Sequence, residues 1–301
     1  MKKLDTDLPT AISCGILSHV DVFERLEKNG AKPGAWVVKS IGPVENEGND
    51  NPTYIEGGMN SFALPSMTHD DLEKELKQYR GNIPLIISHY GTPEECARSV
   101  ARFDHFAIAH EINISCPNFK PGEQSVMETM CNTEKGLAVV KAVREATKTT
   151  IITKLSPNED YVSIAKAIAP YTDYIGCGNT LGPGLLIDPY TGYPILAGKY
   201  GGISGEAIKP ITQKMVHEVY QATKDQDVGI AASGGIGCGK DIISLARLGA
   251  SRFQIGTALE KYKTVREKAD AINRIWSEAQ CFYEDELGVS SLEEIIGVNY
   301  V

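Results

Sequence analysis

An eightfold alternation is what most constrains how this chain can fold. A short β-branched run is followed by a polar or glycine-containing loop, then by a stretch with helical spacing of apolar residues. The runs are 10–14, 35–39, 84–89, 106–113, 150–155, 174–178, 228–233 and 252–256. The helical stretches are 20–28, 70–79, 94–103, 134–147, 161–168, 207–224, 239–248 and 265–284. In the first of these, Val20, Val22, Phe23 and Leu26 recur on one helical face. Strict alternation implies a parallel sheet, because parallel neighbours need a crossover connection. Eight units fit closure into a (β/α)8 TIM barrel. The competing arrangement is an open doubly wound sheet, which usually carries a G-x-G-x-x-G fingerprint after its first strand. This chain reads Ser13-Cys14-Gly15-Ile16-Leu17 there. Length alone would allow two domains of ~150 residues, but the alternation predicts one barrel spanning 1–301.

Three connections are longer than simple strand-to-helix loops: 40–69, 115–133 and 179–206. They follow the second, fourth and sixth runs. In a barrel they would cover the C-terminal rim, where barrel enzymes keep their active sites.

Charge and cysteine usage narrow the function. The net charge is −9, which argues against a nucleic-acid partner. No apolar run approaches the ~20 residues of a membrane span. The first seven residues, Met-Lys-Lys-Leu-Asp-Thr-Asp, lead into no apolar stretch of the kind a secretory leader has. Seven cysteines lie at 14, 96, 116, 131, 177, 238 and 281, and none forms a C-x-x-C pair. No disulfide framework, zinc site or iron–sulfur site is expected within the chain. These features predict a cytoplasmic enzyme with reduced thiols and no metal of its own.

The predicted strand ends carry Ser13 and Cys14, Lys39, His89, Asn113, Lys154, Asn179, Gly234 with Gly235, and Gly256 with Thr257. A lysine that ends an apolar strand is costly to bury unless an anion or acceptor meets it. One such lysine is as well explained by snorkelling to solvent. Two on one rim, beside strand-end asparagines, favour a ligand. The turns Ala-Ser-Gly-Gly-Ile-Gly (232–237) and Gln-Ile-Gly-Thr-Ala (254–258) suit a phosphate through their backbone N–H groups. Barrels often place a phosphate after their seventh and eighth strands, although glycine also serves plain turns.

The segment Glu-Ile-Asn-Ile-Ser-Cys-Pro-Asn (111–118) places Cys116 just past the fourth strand, among polar residues and before a proline. A structural cysteine usually lies inside an apolar run, as Cys177 does. The polar setting favours Cys116 as a reactive thiol. Cys14 could line the pocket without reacting. The remaining four cysteines fall in helical or turn positions and read as structural. The six histidines show no clustering or metal spacing in sequence. His89 could face the pocket or be a satisfied core residue. The chain lacks a G-x-S-x-G elbow, which counts against the common serine-hydrolase design.

These segments resemble the class 1 dihydroorotate dehydrogenases. The likeness rests on Asn-Ile-Ser-Cys-Pro-Asn (113–118), Lys-Leu-Ser-Pro-Asn (154–158), Gly-Asn-Thr-Leu-Gly (178–182) and Gly-Gly-Ile-Ser-Gly-Glu-Ala-Ile-Lys-Pro (201–210). The two glycine turns, Lys-Ser (39–40), Glu-Gly-Asn (47–49) and Met-Asn-Ser-Phe-Ala-Leu-Pro (59–65) extend it from about residue 8 to about residue 260. The resemblance implies an FMN-dependent barrel that oxidises (S)-dihydroorotate to orotate in pyrimidine synthesis. It implies that Cys116 is the base that takes the proton from C5 while the hydride at C6 goes to the flavin. A thiol with an ordinary pKa of ~8.5 is a modest base, so activity should rise with pH unless the site lowers that value.

By the same resemblance, Lys154 stands beside the flavin edge where negative charge develops. Lys39 lies between flavin and substrate carboxylate. Asn60, Asn113, Asn118 and Asn179 hold the pyrimidine, since an amide both donates and accepts. Thr180 and the backbone of Phe62, Ala63 and Leu64 complete that pocket. Ser13, Cys14, Lys39, Ser40, Asn113, Lys154, Gly178, Gly205, Gly234, Gly235, Gly256 and Thr257 are the implied FMN contacts. The chain departs from the family pattern in one loop. Asn46-Glu47-Gly48-Asn49 stands where members often have Arg-Glu-Gly-Asn, Pro52-Thr53 where they have Pro-Arg, and Ser66 where they have Asn.

The family includes homodimers that reduce fumarate and others that reach NAD through a separate iron–sulfur flavoprotein subunit. Ile-Asp-Pro (187–189) leans to the first, and Gly-Gly-Ile-Ser-Gly with Lys-Leu-Ser-Pro-Asn to the second. Two other readings compete. One is a flavin barrel acting on dihydrouracil, whose relatives tend to read Cys-Pro-His where this chain reads Cys116-Pro117-Asn118. The other is a flavin-free phosphate-binding isomerase or lyase using Lys154.

Overall fold

The computed structural model describes residues 4–17, 19–115 and 133–300. Its elements alternate as the sequence predicts. Strand β1 (Thr10–Ile12) leads to helix α1 (Val20–Lys28), and β2 (Ala35–Ile41) begins the second unit. Two short strands follow within the first long connection, β3 (Tyr54–Ile55) and β4 (Met59–Asn60), before α2 (His69–Gln78). Next come β5 (Leu85–His89), α3 (Pro93–Phe103), β6 (Ala109–Asn113) and α4 (Thr133–Ala146). Then follow β7 (Thr150–Leu155), α5 (Tyr161–Ile168) and β8 (Tyr174–Cys177). The strands β9 (Leu181–Gly184) and β10 (Gly201–Ile203) precede α6 (Lys209–Thr223). The chain closes with β11 (Gly229–Ser233), α7 (Gly239–Arg247), β12 (Arg252–Ile255) and α8 (Val265–Cys281).

Eight parallel strands close into a barrel in the order β1-β12-β11-β8-β7-β6-β5-β2, with β2 returning to β1. Side chains alternate inward and outward along each strand. Ala11, Ala35, Val37, Ile86, Ala109, Ile152, Tyr174 and Ala231 form one buried cluster that fills the lower barrel. The outward residues, such as Trp36, Ile87, Ile112 and Ile175, join a second buried cluster with the helices. Helix starts are defined locally. Thr92 and Glu95 form a reciprocal capping box with Pro93 in the first turn of α3. Thr264 and Glu267 do the same for α8.

The long loops contribute a feature that periodicity does not reveal. Strands β3, β4, β10 and β9 form an antiparallel sheet of their own. It joins the connection after β2 to the connection after β8, with Asn60 paired to both Tyr54 and Gly202. Such short strands carry too few residues to show a period of two. The third long connection lies mostly in 116–132, outside the described residues.

The histidines correct one expectation. Three of them are linked in space although scattered in sequence. His69 Nε2 meets Ser99 Oγ at 3.1 Å, and Ser99 Oγ meets His89 Nδ1 at 2.9 Å. His89 Nε2 meets His110 Nδ1 at 2.9 Å, and His110 Nε2 meets Asp104 Oδ1 at 3.1 Å. With Asp104 ionised, each group can pass one proton along this line, so all three rings are neutral. His89 thus faces the helix layer, as a satisfied core histidine, and is absent from the cavity lining.

Candidate active site

A cavity of about 800 Å³ opens at the C-terminal end of the barrel. That is the size of a cofactor site. Every described residue singled out from the sequence as a site residue lines it. Ser13 and Cys14 follow β1, Lys39 and Ser40 lie near the end of β2, Asn113 ends β6 and Lys154 lies one residue from the end of β7. Asn60, Phe62, Ala63 and Leu64 enter from the loop after β2, and Gly178, Asn179 and Thr180 follow β8. Gly205, Gly234, Gly235, Gly256 and Thr257 form the remaining wall. Cys116 and Asn118 lie outside the described residues.

Register explains the convergence. Asn113 of β6 pairs with Lys154 of β7, which pairs in turn with Gly176 of β8. Neighbouring strands therefore deliver an amide and an ammonium at one level. Ser115, the covalent neighbour of Cys116, is held by three of these residues. Its N–H donates to Asn113 Oδ1 at 3.3 Å, its hydroxyl donates to the Lys154 carbonyl at 2.9 Å, and its carbonyl accepts from Asn179 Nδ2. Asn179 Oδ1 then accepts from Thr180 N–H at 2.9 Å. Asn158, from the Lys-Leu-Ser-Pro-Asn segment, supports the same loop by donating to the Thr180 carbonyl at 2.8 Å.

The loop after β2 is built around two asparagines. Asn46 Nδ2 donates to the carbonyls of Ala63 (2.8 Å) and Leu64 (3.0 Å). Both of those residues have left-handed backbones, with φ of 54° and 50°. Non-glycine residues there are strained and need support from their surroundings. Asn49 Nδ2 donates to the Ser61 carbonyl and hydroxyl, each at 2.9 Å. At position 46, where resembling sequences often carry arginine, a neutral amide supplies the donors that shape the pocket.

The glycine wall is packed too closely against its own neighbours for side chains. Gly178 has φ +138°, and a Cβ there would lie 1.7 Å from the Ser233 carbonyl oxygen. Gly235, at φ +74°, packs on the Lys209 backbone, where a Cβ would come within 2.7 Å. Asp241 braces this turn from below, accepting from Gly237 N–H at 2.9 Å and Cys238 N–H at 3.1 Å. It also pairs with Lys209 Nζ at 2.9 Å. Burial would raise the Asp241 pKa, but the Gly237 N–H and the Lys209 ammonium outweigh it and hold the carboxyl below its ordinary range. Lys209 and Asp241 line the cavity and were missed from the sequence. Lys209 lies in the Gly-Glu-Ala-Ile-Lys-Pro segment, so its signal was present. Asp241 carried none beyond a helix-start position.

Cys14 is restrained. Its Sγ lies 3.0 Å from Ser40 Oγ and accepts from Ser40 N–H at 3.1 Å. Cys177 is fully buried, and burial pushes its thiol far above the ordinary thiol pKa. Among the described residues, no group of three or more His, Cys, Asp or Glu side chains could hold a metal.

A closed parallel barrel with lysines, asparagines and glycine turns around a cavity at its C-terminal mouth has the architecture of an α/β-barrel enzyme. The family model for dihydroorotate dehydrogenase matches residues 2–275, and the chain belongs to that family. It is 36% identical over 304 residues to a Thermococcus kodakarensis protein, covering 98% of this chain and 95% of that one. It is 34% identical over 297 residues to a Methanothermobacter thermautotrophicus protein, covering 96% and 94%. Both relatives are named dihydroorotate dehydrogenase B (NAD(+)), catalytic subunit. The ligand-free DHODH structure from Eimeria tenella aligns with a TM-score of 0.80 at 19% identity, over 99% of this chain and 90% of that one. That likeness is one of fold. Family membership makes the chain an oxidoreductase acting on a CH–CH bond, the oxidation of dihydroorotate to orotate.

Proposed function

We propose that this chain oxidises dihydroorotate in the barrel-mouth cavity with FMN as the bound cofactor, and that Cys116 is the base. The observation that carries the reading is the convergence of Lys39, Asn60, Asn113, Lys154, Asn179 and Thr180 on one cavity, in a chain of this family. The residues present fit a flavin phosphate. Gly205, Gly234, Gly235, Gly256 and Thr257 line the cavity in glycine turns whose backbone N–H groups suit a phosphate, and Lys261 and Lys263 stand in the same lining.

FMN, when bound, supplies the acceptor for the hydride leaving C6. The chain's own residues do the rest. Cys116 takes the C5 proton onto its thiolate, so the substrate loses one proton and one hydride. Lys39 meets the substrate carboxylate. Asn60, Asn113, Asn118 and Asn179 hold the pyrimidine amides in plane. Lys154 offers a fixed cation to the charge that develops on reduction. Support for Cys116 comes from Ser115, which Asn113, Lys154 and Asn179 hold beside the cavity.

The reading extends to partners and location. The named relatives are catalytic subunits of an NAD(+)-linked enzyme, which supports a separate iron–sulfur flavoprotein subunit that carries electrons to NAD. The β9–β10 arm exposes Leu185, Leu186, Ile187, Tyr190 and Tyr193, an apolar surface suited to a second copy of the chain. No helix among the described residues is long and apolar enough to cross a membrane. The cytoplasm is the proposed site of action, as the sequence predicts.

Anaerobic mixing with dihydroorotate tests the whole. The yellow wild-type protein should bleach, and dihydrouracil should leave it yellow. Cys116→Ala should keep its flavin and bleach ~100-fold or more slowly, the span expected for losing a general base. Bleaching by dihydrouracil, or an unimpaired Cys116→Ala, would overturn the assignment. A colourless protein that takes up no added FMN would point to the flavin-free barrel.

A further inference from the structure

One buried acid in the barrel has no part in the reaction as described. Glu111 lies in the middle of β6, two residues before Asn113, and is wholly inaccessible to solvent. An ionised carboxylate is costly to bury unless donors and a counter-charge surround it. Glu111 has both, drawn from three other strands. Its Oε2 accepts from Gln254 Nε2 of β12 at 2.6 Å, and its Oε1 accepts from Ser88 Oγ of β5 at 3.2 Å. Lys154 Nζ of β7 lies 3.7 Å from Oε1.

The Ser88 contact leads on to the cavity. Ser88 Oγ lies 2.9 Å from Ser40 Oγ, which lies 3.0 Å from Cys14 Sγ. Each hydroxyl has one proton. With Ser88 donating to Glu111, Ser40 donates to Ser88 and the Cys14 thiol donates to Ser40. The line of dipoles runs one way, from the cavity wall to the carboxylate. This arrangement accounts for Cys14 as a held thiol and for Glu111 as the group that orients it.

The second consequence concerns Lys154. Its side chain is 11% exposed, and burial by itself favours loss of the ammonium proton. Lys39 adds a like charge to the same cavity lining. Glu111, 3.7 Å away, opposes both effects.

We propose that Glu111 is a positioning residue for the reaction: it holds Lys154 at the cavity floor as an ammonium and tempers its charge, and so sets how readily the bound flavin is reduced. The inference rests on the proposed role of Lys154 and adds a residue to it. Glu111 is absent from the cavity lining, so it acts through Lys154 and the Ser88–Ser40–Cys14 line.

The test is the flavin midpoint potential of the holoenzyme, measured by dye equilibration between pH 6 and 10, in wild type, Glu111→Gln and Lys154→Met. Lys154→Met should shift the potential negative at every pH. Glu111→Gln should shift it positive near pH 7, because a cation has lost its counter-charge. At alkaline pH its curve should break downward as Lys154 gives up its proton, a break absent from wild type. A Glu111→Gln curve that overlays wild type, with Lys154→Met displaced, overturns the role of Glu111 and leaves that of Lys154 standing. An undisplaced Lys154→Met curve overturns the role of Lys154 and this inference with it. Should Glu111→Gln not fold, Glu111→Asp, which keeps the charge but draws it back from Lys154, serves in its place: a potential displaced in the positive direction supports the role of Glu111, and one that overlays wild type, with Lys154→Met displaced, overturns it.

Discussion

Asn179 donates a hydrogen bond from Nδ2 to the carbonyl oxygen of Ser115, tying the loop after β8 to the residue that precedes Cys116. Two segments 64 residues apart in sequence are joined at the cavity edge by this contact. Asn179→Ala leaves a buried carbonyl without its donor, a cost of ~1–3 kcal/mol. If that cost falls on the reacting geometry, kcat/KM for dihydroorotate drops ~10- to 100-fold while the flavin stays bound. Steady-state kinetics with a flavin spectrum on the same sample checks both halves. Unchanged kinetics would overturn both the tether and the proposed contact of Asn179 with the pyrimidine.

Asn46 should act on substrate binding. Its two donors support the left-handed Ala63 and Leu64, which line the cavity. Asn46→Ala removes two hydrogen bonds worth ~1 kcal/mol each. The expected outcome is a KM for dihydroorotate raised ~10-fold or more, with FMN content unchanged. Loss of FMN in parallel would mean that the loop shapes the cofactor site instead.

Gly178 tests the cradle. A Cβ at this position would collide with the Ser233 carbonyl at 1.7 Å, and the backbone lies at φ +138°. Gly178→Ala should destabilise the fold by ~3 kcal/mol, from overpacking and backbone strain together. Denaturant midpoints with and without added FMN measure it. A variant as stable as wild type, with full flavin, would place the crowding elsewhere.

The histidine line makes the fold acid-sensitive. Burial lowers the pKa of His89 well below its ordinary value, and the neighbouring His110 and His69 rings lower it further. Burial lowers His110 despite Asp104, and lowers His69 together with Arg102. The folded state therefore keeps these rings neutral, while the unfolded chain binds protons below ~6.5. Stability is fully present above that value. It is lost as pH falls from ~6.5 toward the depressed folded pKa values, by up to about 1.4 kcal/mol per unit of depression per ring. Urea midpoints at pH 7.5, 6.5 and 5.5 should fall in that order. His110→Asn should flatten the trend, and an unchanged slope in that variant would remove the line as its cause.

Much of the fold is legible in the chain itself. The eight barrel strands and their helices lie where the alternation puts them, because hydrophobic period and capping residues are local properties. Strand-end position was enough to gather Lys39, Asn113 and Lys154 on one rim, since a parallel barrel brings all its C-terminal strand ends together. The β3-β4-β10-β9 sheet was not legible. Its strands are two to four residues long, and the pairing that joins its two halves, Asn60 of β4 with Gly202 of β10, spans more than a hundred residues. Asp241 and Lys209 were missed for a related reason: an ion pair between consecutive units has no spacing to recognise.

The sequence by itself determined the barrel, the reactive-thiol candidate and the cationic rim, because each follows from residue type at a position within one strand–helix unit. Only the tertiary structure decided what those residues meet. Barrel closure brings Gln254 of β12 and Ser88 of β5 to Glu111 of β6. Helix packing lines up His69, His89 and His110 from three elements. Such partners are set by distances across the folded chain, and burial then makes their charges count, as desolvation makes an unmatched charge expensive.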